Sequence, residues 1–208
     1  YRFYSDFSLD WRWIMKLILA SASPRRREIL ENAGYLFSVR PVQLEERLDP
    51  ALPPGRAVAE LAAQKAACAA QHAAEDELIL AADTIVVWNG AILGKPKDEA
   101  HAFAMLRSLA GHEHTVYTGV CVALPGENGK KEAFSCATTV RFYALSDDEI
   151  RSYIATGEPM DKAGAYGIQG YGCLLVESIQ GDYFNVMGLP IAQTARLLSQ
   201  YGVNSAVL

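Results

Sequence analysis

The sequence has 208 residues, half of them hydrophobic, and a formal net charge of -5 at pH 7. This length and composition suffice for a sizeable core in one domain or in two closely packed lobes. The acidic balance excludes a global basic field that would attract nucleic acid or an anionic membrane, and no apolar run reaches the roughly 18 residues of a membrane-spanning helix.

The first fourteen residues differ from the rest of the chain. They read YRFYSDFSLDWRWI, with six aromatic residues and no helix or strand period. We expect residues 1–14 to be a non-native or additional tail, and residues 15–208 to form a single domain that starts at Met15. The four cysteines show no CxxC spacing, which indicates reduced thiols in a cytoplasmic protein.

The first half of the chain alternates short apolar runs with helical patterns. Ser23 is a favourable N-cap, Pro24 suits the first helical turn, and Gly34 ends that helix. The predicted elements are a buried strand at 17–20, a helix at 25–33, an extended stretch at 36–42, an Ala-rich helix at 56–74 and a buried strand at 78–87.

The second half contains two hairpins. Asn89-Gly90 favours a type I′ turn, and Ser146 with Glu149 forms a capping box. The predicted elements are a return strand at 92–93, a helix at 98–110, a hairpin of 115–124 with 132–143, a helix ending at 156, a strand at 173–179, another short strand, and a helix at 191–201. Hairpins together with strand–helix alternation predict an α/β or mixed α+β protein with a mixed sheet.

An anion site is predicted where the first strand meets the first helix, at Ser21-Ala22-Ser23-Pro24-Arg25-Arg26. A helix N-terminus offers unpaired N–H groups, and guanidinium groups add donors that match phosphate. A capped helix with solvated arginines would account for Ser23 and Pro24. It accounts poorly for three consecutive arginines, because basic side chains there oppose the helix dipole unless an anion is bound.

A carboxylate beside a lysine is predicted at the first hairpin. If Asn89-Gly90 is the two-residue turn, counting outward pairs Thr84 with Lys95 and makes Asp83 the diagonal neighbour of Lys95. The alternative is a plain surface ion pair. Next to an anion site, the pair favours a carboxylate that binds a metal or activates water, with a lysine that neutralises phosphate.

Three further features are ambiguous from the residues alone. Lys65 on the Ala-rich helix is typical of a solvated helix face. Glu45 and Glu46 are usually solvent-facing, although such a pair can complete a Mg²⁺ site. The glycine-rich segment around Gln169 lets backbone approach a ligand, and its amide suits a pyrimidine edge, but it also fits a flexible turn.

Three ordered motifs resemble the Maf family of nucleotide pyrophosphatases, long called septum formation inhibitors. They are Ser-x-Ser-Pro-Arg-Arg, Ala-Asp-Thr with downstream Gly-Lys-Pro, and Asp-Lys-Ala-Gly-Ala-Tyr-Gly-Ile-Gln-Gly, and the resemblance runs from about Met15 to Tyr201. It implies a fold like that of inosine triphosphate pyrophosphatase, with a long bent mixed sheet, flanking helices and a cleft between two lobes.

The resemblance also implies roles for individual residues. Asp83 matches the catalytic acid and proton acceptor, and Glu46 matches a metal-site carboxylate, for Mg²⁺, Mn²⁺ or Co²⁺. The positions associated with substrate choice are Arg25, Thr84 and Gln169. The positions that match phosphate-binding residues are Ser23, Arg26, Lys65 and Lys95.

The Ile-Gln-Gly form of the third motif resembles the dTTP/UTP subgroup. The implied reaction is hydrolysis of dTTP and UTP, and of modified pyrimidine nucleotides, to monophosphate and diphosphate. The implied partner is a nucleotide substrate. Binding to nucleic acid or to a membrane is not expected, and a homodimer is compatible with the resemblance. The alternatives are a 7-methyl-GTP pyrophosphatase and a non-catalytic nucleotide-binding regulator of septum formation.

Overall fold

The computed structural model describes residues 15–45, 47–126 and 129–207. The predicted tail at 1–14 and the predicted metal ligand Glu46 lie outside the described residues. The strands are β1 Lys16–Leu19, β2 Phe37–Val39, β3 Glu77–Trp88, β4 Ala91–Leu93, β5 Glu113–Ala123, β6 Lys131–Phe142 and β7 Val176–Gln180. The α-helices are α1 Pro24–Asn32, α2 Pro54–Ala70, α3 Glu99–Leu109, α4 Asp147–Ala155, α5 Tyr183–Met187 and α6 Ile191–Ser199. None of the described helices is long and apolar enough to cross a membrane.

The strands form one mixed sheet in the order β2-β1-β3-β5-β6-β7, with β4 paired to β3. β1 runs parallel to its neighbours β2 and β3, whereas the pairs β3–β4, β3–β5, β5–β6 and β6–β7 are antiparallel. Helices pack against this sheet on both faces. The arrangement confirms the predicted fold class, a mixed sheet flanked by helices.

The first hairpin confirms the predicted turn but not its full register. Trp88 pairs with Ala91, and Asn89 and Gly90 have φ values of 48° and 78°, as a type I′ turn requires. The ladder ends where Val86 pairs with Leu93. The predicted pairing of Thr84 with Lys95 is therefore wrong, because Gly94 and Pro96 flank Lys95 and leave it in a loop, and proline has no N–H for a ladder.

The C-terminal elements also differ from the sequence prediction. The predicted strand 173–179 begins as a 3-10 helix, Gly170–Leu175, before β7. The predicted short strand after it is wrong, because that segment is the helix α5. Asp182 favours this helix as its N-cap, because its carboxylate accepts hydrogen bonds from the N–H groups of Phe184 and Asn185.

The side chains of β3 alternate between two faces of the sheet. Leu78, Leu80 and Ala82 join a core with α1 and α6, whereas Ile79 and Ala81 join a core beneath α2. Val86, which shares the face of Leu80, belongs to a separate core with α3 and α4. Thus two cores lie side by side on one face, and α2 covers the other.

Gly119 of β5 is a point of close contact between α2 and the sheet. It is the direct neighbour of Asp83 in the ladder, and a Cβ at this position would overlap the backbone of Val58 and lie 2.7 Å from the N of Ala59. A side chain at position 119 would therefore push the whole helix outward.

We expect Gly119→Ala to lower the free energy of unfolding by about 3 kcal/mol, the upper end for overpacking, since backbone atoms cannot yield as a side chain can. Urea unfolding followed by circular dichroism measures this. Gly94→Ala is the matched control, because a Cβ there meets nothing within 4 Å. Equal stability of the two variants would contradict the close packing of α2.

Candidate functional site

The site lies at an interruption in the pairing of β3. On one side β3 is paired to β5 from Ile79 to Val87. On the other side β1 pairs only as far as Leu80, and β4 begins at Val86. Between these two strands, residues 81–85 have no strand partner on that side in the described part of the chain. The open edge exposes Asp83 and Thr84 to a cleft of about 880 Å³.

The N-terminus of α1 forms one wall of the cleft, where β1 ends beside the open edge. Ser23 occupies the N-cap position as predicted, but its side chain makes no capping bond. Its N–H instead donates to Ser21 Oγ over 3.2 Å. The first-turn N–H groups and the positive end of the helix thus face a cleft that Ser21, Ser23 and Pro24 line.

The three consecutive arginines point in different directions. Arg25 lines the cleft and pairs with Asp161 over 3.5 Å. Arg27 pairs with Glu31 one helical turn on, outside the cleft lining. Arg26 is buried, at 9% exposure. The sequence therefore predicted the cationic motif, whereas the structure separates the exposed Arg27 from two arginines that line the cleft, of which Arg26 is buried.

Three hydrogen bonds to other described residues hold Arg26 in place. Its Nε donates to Gly188 O over 2.8 Å, its Nη1 to Ser21 Oγ over 3.0 Å and its Nη2 to Thr84 Oγ1 over 3.1 Å. Gly188 follows α5, so the guanidinium ties the start of α1 to β3 and to the end of α5. Charge-assisted hydrogen bonds of this kind hold a side chain in one orientation.

The Thr84 hydroxyl continues this network into the sheet. Thr118 Oγ1 lies 2.9 Å from Thr84 Oγ1 and donates to Asn185 O over 2.8 Å. Because the Thr118 proton is used there, Thr84 donates to Thr118 and accepts from Arg26. Asn185 is fully buried, and its Nδ2 donates to Val116 O and Thr138 Oγ1.

Asp83 lies on the opposite face of β3, toward α2. Its Oδ1 accepts a hydrogen bond from Lys65 Nζ over 2.5 Å, and the two side chains are 14% and 12% exposed. The interpretation of Lys65 as a solvated helix residue was wrong. An alanine-rich helix has no strongly polar face, so sequence periodicity alone does not reveal which side of α2 meets the sheet.

Lys95 and Gln169 also line the cleft. Lys95 is exposed in the loop after β4, and Gln169 is half-buried in extended backbone before the 3-10 helix Gly170–Leu175. Gly164 N–H donates to Gly94 O over 3.0 Å, which joins the loop of Lys95 to the glycine-rich segment.

Glu158 is a cleft residue that the sequence analysis missed. Its carboxylate accepts hydrogen bonds from Tyr153 Oη over 2.9 Å, Tyr171 N over 2.9 Å and Gly172 N over 3.1 Å. Burial disfavours the charged carboxylate, but these donors outweigh burial and lower the pKa of Glu158 below its ordinary value. No local pattern reveals it, since the backbone donors are 13 and 14 residues away.

The cleft is locally positive in a chain whose net charge is negative. Its basic lining residues outnumber its acidic ones; they are Arg25, Arg26, Lys65, Lys95 and Lys162 against Asp83, Glu158 and Asp161. Burial raises the pKa of Asp161, but Lys162 and Arg25 outweigh burial and lower it, so this carboxylate stays paired. The balance suits an anionic ligand.

A closed metal site is absent from the described ranges, where no three His, Cys, Asp or Glu side chains gather. The carboxylate of Asp83 nevertheless suits a hard cation that takes most of its oxygen ligands from a phosphorylated substrate and water. Glu46, the second predicted ligand, lies outside the described residues.

The fold and cleft define a mixed α/β protein with a cationic pocket, and comparison with known proteins identifies its family. The family model described as Maf-like protein matches residues 16–201. A dTTP/UTP pyrophosphatase of Moorella thermoacetica is 50% identical over 189 residues, covering 91% of this chain and 96% of the relative. One of Caldanaerobacter subterraneus subsp. tengcongensis is 49% identical over 190 residues, covering 91% of each chain. The chain therefore belongs to the Maf-like family, which confirms the resemblance.

A solved structure is also similar to this chain. It is the nucleoside-triphosphatase / dITP/XTP pyrophosphatase of Mycobacterium abscessus, with 12% identity, a TM-score of 0.40, and coverage of 89% of this chain and 97% of the other. At this TM-score the likeness is too low to bear on the function.

Thr118→Val tests the network that joins Arg26 to α5. The valine keeps the shape but leaves the Asn185 carbonyl without its donor and Thr84 without its acceptor. We expect the free energy of unfolding to fall by about 1–3 kcal/mol, as for buried groups left unsatisfied. Thr115→Val on the same strand, whose hydroxyl makes no hydrogen bond within the described ranges, is the control in urea unfolding. A Thr118 variant as stable as this control would contradict the network.

Proposed function

We propose that the protein hydrolyses dTTP and UTP between the α- and β-phosphates, releasing the monophosphate and diphosphate. The names of relatives that are 49–50% identical over almost their whole length support this substrate class. The observation that carries the proposal is the Asp83 carboxylate at the open edge of β3, held 2.5 Å from Lys65 in a cleft with a surplus of cations.

The phosphate chain fits the α1 side of the cleft. The N–H groups of the first turn and the hydroxyl of Ser23 offer donors, and Arg26 adds a fixed positive charge. Lys65 and Lys95 approach from α2 and from the loop after β4. Together these groups offset the negative charge that develops on the phosphates in the transition state, and preorganised charges of this kind are usually the largest contribution to catalysis.

Asp83 is the group best suited to accept the proton of the attacking water. In-line attack on the α-phosphorus requires a base on the side opposite the leaving diphosphate. Among the cleft carboxylates, Glu158 is engaged by three donors and Asp161 is paired with Arg25 and Lys162. Asp83 contacts Lys65 through Oδ1 and, in the described part of the chain, Oδ2 takes no hydrogen bond.

A divalent cation, Mg²⁺, Mn²⁺ or Co²⁺, is part of the same proposal. Asp83 would hold it together with oxygens of the substrate phosphates, and Glu46 is the second ligand that the family resemblance implies. When bound, the cation supplies neutralisation of phosphate charge.

Arg25, Thr84 and Gln169 are proposed to govern substrate choice. Gln169 presents an amide to the cleft, with a donor and an acceptor for the O4/N3 edge of uracil or thymine. Arg25 lines the same cleft from the first turn of α1. Because the Thr84 hydroxyl binds Arg26 and Thr118, its effect on substrate is proposed to act through the position of Arg26.

The cytoplasmic location, the homodimer and the dispensability of residues 1–14 stay predictions. A protein that starts at Met15 and is folded and fully active would support the assignment of the tail. Sedimentation of the same protein would test the dimer.

A panel of nucleoside triphosphates tests the proposed reaction. We expect diphosphate release from dTTP and UTP with Mg²⁺, Mn²⁺ or Co²⁺, and its loss with a chelator. Preferred hydrolysis of 7-methyl-GTP would refute dTTP and UTP as the substrates and favour a 7-methyl-GTP pyrophosphatase. Nucleotide binding without any diphosphate release would favour the non-catalytic regulator.

Asp83→Asn should reduce turnover of UTP by at least about a thousandfold while the protein stays folded, because the amide keeps the shape but loses the basic carboxylate. Diphosphate release measures turnover, and circular dichroism verifies folding. Asp148→Asn, at an exposed position of α4, is the charge control and should remain active. Near-normal turnover by the Asp83 variant would refute the assignment.

Gln169→Glu should weaken UTP hydrolysis more than 7-methyl-GTP hydrolysis. A carboxylate only accepts hydrogen bonds, so it opposes O4 of uracil but accepts from N1–H and N2–H of a guanine edge. The mismatch is expected to change the ratio of kcat/KM for the two substrates by about ten- to a hundredfold. An unchanged ratio would mean that Gln169 does not contact the base.

A further inference from the structure

We propose that Glu158 is a positioning residue that fixes the segment carrying Gln169 over the cleft and thereby sets the preference for a pyrimidine base. The inference rests on the proposed function. It deepens that function by assigning base discrimination to a carboxylate that contacts the Gln169 segment rather than the base.

Glu158 holds two backbone groups on one side of Gln169. The N–H of Tyr171 donates to Oε2, and the N–H of Gly172 donates to Oε1. These donors lie two and three residues beyond Gln169. A carboxylate that accepts two consecutive N–H groups fixes both the position and the direction of the backbone between them.

Tyr153 holds the other side of the same segment. Its hydroxyl accepts a hydrogen bond from Gly167 N over 3.3 Å and donates to Glu158 Oε1 over 2.9 Å. Gly167 lies two residues before Gln169. Both ends of the segment 167–172 therefore converge on the Glu158 carboxylate, one directly and one through a buried tyrosine of α4.

Two glycines that follow Gln169 make this approach possible. A Cβ on Gly170 would overlap Oε2 of Glu158, and its φ of 62° is strained for other residues. A Cβ on Gly172 would lie 2.8 Å from Tyr153 Oη and 3.2 Å from Glu158 Oε1. The carboxylate thus occupies the space that a side chain at 170 would fill, whereas at 172 the Gly167 carbonyl obstructs a side chain first, followed by Tyr153 Oη and Glu158.

The arrangement needs a carboxylate and not an amide. Three donors, Tyr153 Oη and the two backbone N–H groups, face two oxygens, and all three are satisfied only when both oxygens accept. Glutamine would turn an NH₂ group toward at least one of them. The lowered pKa of Glu158 agrees with a charged group that these donors stabilise.

The test compares Glu158→Gln with Tyr153→Phe, which removes one contact and leaves the carboxylate, and with Glu75→Gln, an exposed control in the turn before β3. For Glu158→Gln we expect KM for UTP to rise about tenfold and the kcat/KM ratio of UTP to 7-methyl-GTP to fall about tenfold. We expect kcat and the inhibition constant of inorganic diphosphate to stay within about threefold of wild type, because the phosphate side of the cleft is untouched.

The two side chains should also act as a unit. The double variant Tyr153→Phe, Glu158→Gln is expected to lose no more base selectivity than Glu158→Gln alone, as for members of one network. Glu75→Gln should match wild type. If Glu158→Gln fails to fold, Tyr153→Phe carries the test, with a smaller fall of about threefold in the same ratio.

Three results would overturn the proposal. One is an unchanged substrate ratio in a folded Glu158→Gln protein. Another is a parallel loss of kcat, diphosphate affinity and stability, which indicates a purely structural role. The third is wild-type protein that releases no diphosphate from dTTP or UTP, which refutes the proposed function itself. If the wild type is active on dTTP and UTP but Glu158→Gln leaves the base preference unchanged, only the positioning role of Glu158 is refuted.

Discussion

The open edge in the middle of β3 is the constraint on which the site depends. β5 pairs with β3 along Ile79–Val87, so one edge of the strand stays hydrogen-bonded where β1 and β4 leave the other edge unpaired. A break in the pairing of an exposed strand would leave unsatisfied backbone and invite association. Here the break lies inside a cleft, between two hydrophobic cores of one face, where polar side chains and a bound ligand can satisfy it.

Strand alternation then explains why one Ala-Asp-Thr sequence serves two walls. Asp83 points to the face covered by α2 and binds Lys65, whereas Thr84 points to the opposite face and binds Arg26. Each wall thus contributes one cation through a different layer of the fold. Gly119, beside Asp83 in β5, allows α2 to approach closely enough for Lys65 to reach the carboxylate.

Local signals in the sequence predicted most of the helices and strands. The features that the sequence did not predict depend on contacts between residues far apart in the chain. The type I′ turn at Asn89-Gly90 and the capping box at Ser146 depend on neighbouring residues and were found. Residue patterns also singled out the start of α1 and Asp83, and both line the cleft. Lys65 was recovered only through the family resemblance, because an alanine-rich helix hides its buried face. The backbone donors to Glu158 and the partners of Thr118 are 13 to 67 residues away, so no pattern identifies them. The predicted pairing of Thr84 with Lys95 was wrong because Gly94 and Pro96 end the ladder between β3 and β4.

On both walls of the cleft, a charged side chain holds a loop in place by binding its backbone. Arg26 donates to the carbonyl of Gly188, and Glu158 accepts from the N–H groups of Tyr171 and Gly172. In both cases a charged side chain with limited exposure binds backbone groups beside a glycine, where no side chain obstructs the approach. Charge-assisted bonds to backbone fix a loop at less entropic cost on binding than mobile side chains would require. The cleft therefore holds Arg26 and the backbone on both sides of Gln169 in place, and preorganisation of this kind allows charged groups to stabilise a transition state rather than reorganise around it.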